Sequence, residues 1–185
     1  MKRIFLTLAI IANIMLIVTM ILGLLIGDAA DRDPAVQAIV GYHFLLAIGS
    51  LIFAIGVHAL VFTYFMGTGR WMEETCTAYR LPNTFQATSQ SLKYRVLAPM
   101  MAAVMLLLFT GALGAAADPA SPVEFTGVAG IDAGTIHFLL AATTIGVQFI
   151  VNGLEYLSIQ SNMDLIEQVM SEVRRIRLER GMPVS

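Results

Sequence analysis

The chain has 185 residues, of which 57% are apolar and 13% charged, and it carries a formal net charge of −2. Its mean hydropathy is +0.77, far from the balance of a soluble globular domain. The small net charge is the sum of two oppositely charged ends and gives no ground for a nucleic-acid partner, while a single cysteine, Cys76, excludes an internal disulfide.

Four stretches lack Asp, Glu, Lys and Arg altogether: 4–27, 34–69, 96–117 and 133–154. Each is long enough to cross a hydrocarbon layer of roughly 30 Å, which needs about 20 helical residues. Backbone groups in lipid must be bonded within the segment, and the stretches lack the alternation of barrel strands, so each predicts a helix. The fold class expected is an all-α integral membrane protein with four transmembrane helices.

The first span follows Lys2 and Arg3. It begins like a signal peptide, but its apolar run is too long for a typical signal core and no clear A-x-A site follows, so it reads as a retained anchor. It ends in GDAADRDP, where Asp28, Asp31 and Asp33 outnumber Arg32. The second span leads to GTGRW, which lacks the end of a phosphate loop. Tyr64 and Trp71 there suit an interfacial aromatic belt. A connector at 70–94 holds Arg70, Arg80 and Lys93, with LPNTFQATSQS read as a polar linker broken by Pro82. The third span ends in GAAADPASP, and the loop beyond it carries Asp118, Glu124 and Asp132. Basic residues stay with cytoplasmic loops, so both termini and the connector are expected in the cytoplasm and the acidic loops outside, in a bacterial-type inner membrane.

The second and fourth spans both open with HFLLA, at 43–47 and 137–141. The chain therefore reads as two tandem related helical hairpins, 1–69 and 95–157, joined by the connector. Parallel repeats of this kind are related by a pseudo-two-fold axis along the membrane normal. His43 and His137 then stand at equal depths. Helical spacing continues the first stripe through Ala47, Ser50, Ala54 and His58, and the second through Ala141, Thr144, Gln148, Asn152 and Glu155. Such polar faces are costly against lipid and should turn into the bundle.

Two readings follow. In the first, haem b lies between the second and fourth helices with His43 and His137 as axial ligands, and Ala47 and Ala141 leave space one turn below. His58, about 22 Å further along its helix, is a candidate for a second haem, although its counterpart Asn152 is not a usual ligand. The chain has no C-x-x-C-H motif for covalent haem. His58, Gln148, Asn152 and Glu155 form a candidate polar pocket on the cytoplasmic side for a quinone head group or a proton path. In the second reading the histidine, threonine, glutamine and asparagine side chains simply bond between helices, with His58 and Asn152 as the natural structural pair, and Glu155 is an interfacial carboxylate in contact with water. A chlorophyll-type pigment, another metal or a titrating histidine also fits His43 with His137.

The segment 158–185 continues the fourth helix into the cytoplasm as an amphipathic helix and tail. Ile159, Met163, Ile166, Met170 and Val173 trace a short heptad seam flanked by Leu165, Val169 and Ile176. Its partner is the segment 71–79, a second copy through 158–180, or another membrane subunit.

In its span count and in His43 and His137, the chain resembles small four-helix membrane cytochromes b, which hold haem between histidines on facing helices. That resemblance implies a haem-b electron-transfer protein or subunit rather than an independent enzyme. No nucleophile–base–acid set can be assembled. The alternative is a cofactor-free accessory subunit of a larger membrane complex.

Overall fold

The computed structural model describes residues 1–123 and 125–183; Glu124, one of the loop acids named above, and the last two residues lie outside them. Four helices dominate: α1 (Lys2–Leu25), α2 (Pro34–Tyr79), α3 (Asn83–Ala117) and α4 (Ala133–Glu179). All four are long and apolar enough to cross a membrane. Their outward faces carry large apolar side chains such as Ile10, Leu24, Leu45, Phe109 and Ile150, which suits a lipid solvent. Loops 26–33 and 118–132 make one end of the bundle, here the acidic end.

Local chemistry sets the helix boundaries. Asp33 caps α2 by accepting from Ala35 N at 2.8 Å, with Pro34 at the first helical position, where its missing N–H is no loss. Asp132 caps α4 twice over, taking Thr135 N at 2.9 Å and Thr135 Oγ1 at 2.6 Å. Those bonds hold the Asp132 carboxyl below its ordinary value. Ahead of α4, Gly127–Val128 pairs antiparallel with Ile131–Asp132. Only glycine fits at 127, because a Cβ there would meet the Ile131 carbonyl oxygen.

Neighbouring helices pack in a ring, α1 on α2, α2 on α3, α3 on α4 and α4 back on α1, with a smaller contact of α2 with α4 across the middle. The interior pattern repeats. On α2 the buried positions include Ser50, Ala54, Val57, Val61 and Phe65; on α4 they include Thr144, Gln148, Val151, Glu155 and Ile159, the same set shifted by 94 positions. Phe5, Ala9 and Ala12 on α1 correspond likewise to Val96, Met100 and Ala103 on α3, shifted by 91.

Beyond the apolar spans, α2, α3 and α4 run on together as a stalk. At 46 residues α2 is about 70 Å long, more than twice what a bilayer core needs. The stretch 83–91, expected as a linker, is instead the first turns of α3. The turn between α2 and α3 is therefore only Arg80–Pro82. Arg80 adopts the left-handed conformation (φ 54°) and Leu81 N bonds Cys76 O at 2.9 Å, a Schellman stop. Leu81 then buries against Met72, Cys76, Leu165, Val169 and Val173, with Phe85 and Leu92 packed beside them. This apolar cluster makes helix out of a segment whose propensity alone suggests a loop.

The same cluster shows what the 158–179 stripe packs on. Residues 71–79 meet it within the chain, and the buried line is Asn162, Leu165, Val169 and Val173, while Met163 and Met170 are 40% and 41% exposed. The seam is thus rotated from the one traced by heptad spacing. Asn162 takes a buried place because it has bonding partners on α2, which hydropathy cannot register.

Candidate functional site

Two levels of polar side chains occupy the bundle interior. The upper level, near the acidic end, is built from all four helices. His43 on α2 and His137 on α4 approach with ring centres 6.4 Å apart and planes at 86°. His43 Nδ1 lies 2.9 Å from the Thr19 carbonyl oxygen of α1. A carbonyl only accepts, so Nδ1 carries the hydrogen and Nε2 holds a free lone pair. His137 is placed the same way beside Thr110 of α3, though its buried Nδ1 does not close a hydrogen bond.

The rings fit where they do because the neighbouring helices offer glycine. A Cβ at Gly23 would come within 3.0 Å of His43 Cε1, and one at Gly114 within 2.7 Å of His137 Cε1. One turn below, hydroxyl pairs tie each hairpin: Thr19 to Ser50 at 3.0 Å, and Thr110 to Thr144 at 2.7 Å. Ala47 and Ala141 occupy the turn after each histidine and are half-buried.

The lower level is asymmetric. His58 Nδ1 is 2.7 Å from Glu155 Oε1, and His58 Nε2 is 2.8 Å from Gln148 Oε1. Gln148 Nε2 donates to the Ala103 carbonyl at 3.3 Å. His58 is only 2% exposed, Gln148 1% and Glu155 0%. The second carboxylate oxygen of Glu155, Oε2, is buried without a partner. Further toward the stalk, Asn162 Nδ2 donates to Tyr64 Oη at 3.1 Å and Thr68 Oγ1 at 3.0 Å.

The structure therefore brings His43 to His137 and gathers His58, Gln148 and Glu155. Asn152 is half-buried and is not bonded to His58. The expected His58–Asn152 pair gives way to Gln148 and Glu155, one turn to either side of Asn152, which grip the ring from both edges. With both nitrogens held by protein, His58 presents no free lone pair to a second haem. Among the described residues no group of three or more His, Cys, Asp or Glu side chains is placed to hold a metal ion.

Sequence reasoning missed the contributions of α1 and α3. A signal was present: T-x-x-L-G occurs at 19–23 and again at 110–114, and it supplies the glycine against which each histidine packs, the hydroxyl that bonds Ser50 or Thr144, and for His43 the carbonyl that takes its Nδ1–H. The Tyr64–Thr68–Asn162 cluster had no comparable signature, since its members are far apart in the chain. Comparison of the chain with protein-family models, curated proteins and solved structures gives no match.

Proposed function

We propose that the protein is a membrane-embedded haem-b electron-transfer protein or subunit, with the haem held between α2 and α4 by His43 and His137. The observation that carries this reading is the 6.4 Å separation of the two rings across the bundle. One metal ion would be held by both imidazoles, whose ring centres are close enough across the bundle to share it. The donor chemistry agrees. Nδ1 of His43 is committed to a backbone carbonyl, which fixes the tautomer and leaves Nε2 as the nitrogen that would hold a metal, as in metal-bound histidines generally. Haem, when bound, supplies a one-electron carrier; the chain orients the two imidazoles, excludes water through the surrounding apolar helices and leaves the small side chains of Ala47 and Ala141 beneath the rings.

The hairpins are read as a tandem duplication, supported by the constant offsets of 91 and 94 between buried positions and by the repeated T-x-x-L-G and HFLLA. That origin accounts for two equivalent histidines meeting near the pseudo-axis. Lys2, Arg3, Arg80, Lys93, Arg95 and the C-terminal arginines lie at the stalk end, which supports placing both termini and the stalk in the cytoplasm of a bacterial-type inner membrane.

A reduced-minus-oxidised absorption spectrum of the protein purified in mild detergent, with pyridine extraction, tests the reading. The expected result is one b-type haem per chain, lost in both His43→Ala and His137→Ala. A folded protein that stays colourless after expression and reconstitution with haem sinks it. The accessory-subunit reading then gains weight, supported by Met163 and Met170, which stand exposed seven residues apart on one side of the stalk. Replacing both with Asp would release a bound partner in that case.

A further inference from the structure

Glu155 directly follows the last uncharged span and, among the described residues, is the only carboxylate that is fully buried. Leaving a charge in such a place is expensive unless every lone pair is satisfied. Here one oxygen is satisfied and the other is not: Oε1 meets His58 Nδ1 at 2.7 Å, while Oε2 has no partner.

The hydrogen positions follow from the neighbours. Gln148 donates through Nε2 to the Ala103 carbonyl, so its Oε1 accepts and His58 Nε2 carries a hydrogen. One further proton on the line from Nδ1 to Oε1 makes the pair net neutral, as imidazolium with carboxylate or imidazole with carboxylic acid. The two forms interconvert by movement of that proton alone. The open Oε2 is then the acceptor for a second proton.

The pair also lies on a polar line. Ser158 and Asn162 continue the buried face of α4 toward the stalk, with Asn162 about 10 Å beyond Glu155 and bonded to Tyr64 and Thr68. Asn162 Oδ1 is buried and unpartnered as well. The apolar spans hold no Asp, Glu, Lys or Arg, and Glu155 directly follows the last of them; other titratable groups at this end are Tyr64 on α2, Tyr156 on α4 and Lys2 on α1, whose Nζ sits 5.0 Å from the Tyr156 ring.

We propose that His58 and Glu155 form a proton-exchange site loaded from the stalk end past Asn162 and Ser158. A proton delivered by a hydronium ion, which leaves as water, binds Glu155 Oε2 and turns the neutral pair into imidazolium beside carboxylic acid; release reverses the step, and no electrons move. The ligand is the proton rather than a quinone head group, because side chains 0–2% exposed admit no organic ring. The site does not depend on haem at the upper level.

The test uses the full chain in phosphatidylcholine vesicles, followed by infrared difference spectroscopy as the medium is jumped from about pH 8 to about pH 5. A C=O stretch of a buried carboxylic acid should appear in the wild type, move in D2O and be missing in Glu155→Gln. Tyr64→Phe with Asn162→Leu leaves the pair intact and should slow the appearance of the band at least tenfold without changing its final size. No band, or the same band in Glu155→Gln, overturns the site. An unchanged rate in the double variant overturns the entry route. If Glu155→Gln does not fold, His58→Asn decides: the band must shift in frequency if the carboxyl adjoins His58, and an unshifted band refutes the assignment. A band that responds to an added short-chain quinone and not to pH also overturns the proposal, in favour of a head-group site.

Discussion

The two levels of the bundle interior differ in whether positions 91 or 94 residues apart carry the same side chain. At the upper level the repeat is kept: histidine answers histidine, threonine answers threonine and glycine answers glycine at positions 43 and 137, 19 and 110, and 23 and 114. At the lower level it is broken. Ala54 corresponds to Gln148, Val61 to Glu155 and His58 to Asn152. Matched residues bring two like rings together without a bond between them, whereas unmatched ones let a single ring be bonded wholly by protein. Under the proposed reading the matched pair would share a ligand, while the unmatched set is a closed network.

The largest effect expected from breaking this contrast is at the lower level. Glu155→Ala leaves His58 buried without its charged partner and should destabilise the protein by about 3–5 kcal/mol, the usual consequence of removing one member of a buried pair. Its unfolding midpoint in detergent should fall well below that of Glu155→Gln. Equal midpoints would mean that the carboxylate is replaceable by any hydrogen-bonding group.

At the upper level, Gly114→Ala forces a methyl group to 2.7 Å from His137, and Gly23→Ala forces one to 3.0 Å from His43. Overpacking of this kind costs about 1–3 kcal/mol, with Gly114→Ala the more harmful of the two. Thermal unfolding of each variant checks the order; a reversed order would show that the two halves relax differently.

Smaller still, Thr19→Val and Thr110→Val each delete one interhelical hydroxyl bond, worth about 0.6 kcal/mol in a membrane interior. Near-equal losses in denaturant titrations would support the equivalence of the hairpins. The smallest effect is at the surface. Because its bonds to Thr135 hold Asp132 below the ordinary aspartate value, the stabilisation from this cap is present above that range and fades as pH falls through the lowered value. Asp132→Asn should remove that acid-side dependence, as read from unfolding midpoints against pH.

Much of this was legible in the chain. Four uncharged runs gave the helices, and HFLLA marked the two histidines that meet. The stripe from Thr144 through Gln148 to Glu155 did turn inward. Other features were not legible. Asn152 fits the stripe as well as its neighbours do, and nothing local says that His58 bonds above and below it. The polar run at 83–91 reads as a linker until Leu81, Phe85 and Leu92 find the apolar face of α4.

The sequence by itself determined the solvent and the secondary structure, because runs of about 20 uncharged apolar residues have no stable alternative to a helix in lipid. It also determined which residues recur. Tertiary structure alone decided the partners: Thr19 with His43, Gln148 and Glu155 with His58, and Asn162 with Tyr64. Helical periodicity fixes the face a side chain occupies, but a hydrogen bond depends on the depth and rotation of two helices relative to each other, and those are set only when the whole bundle packs.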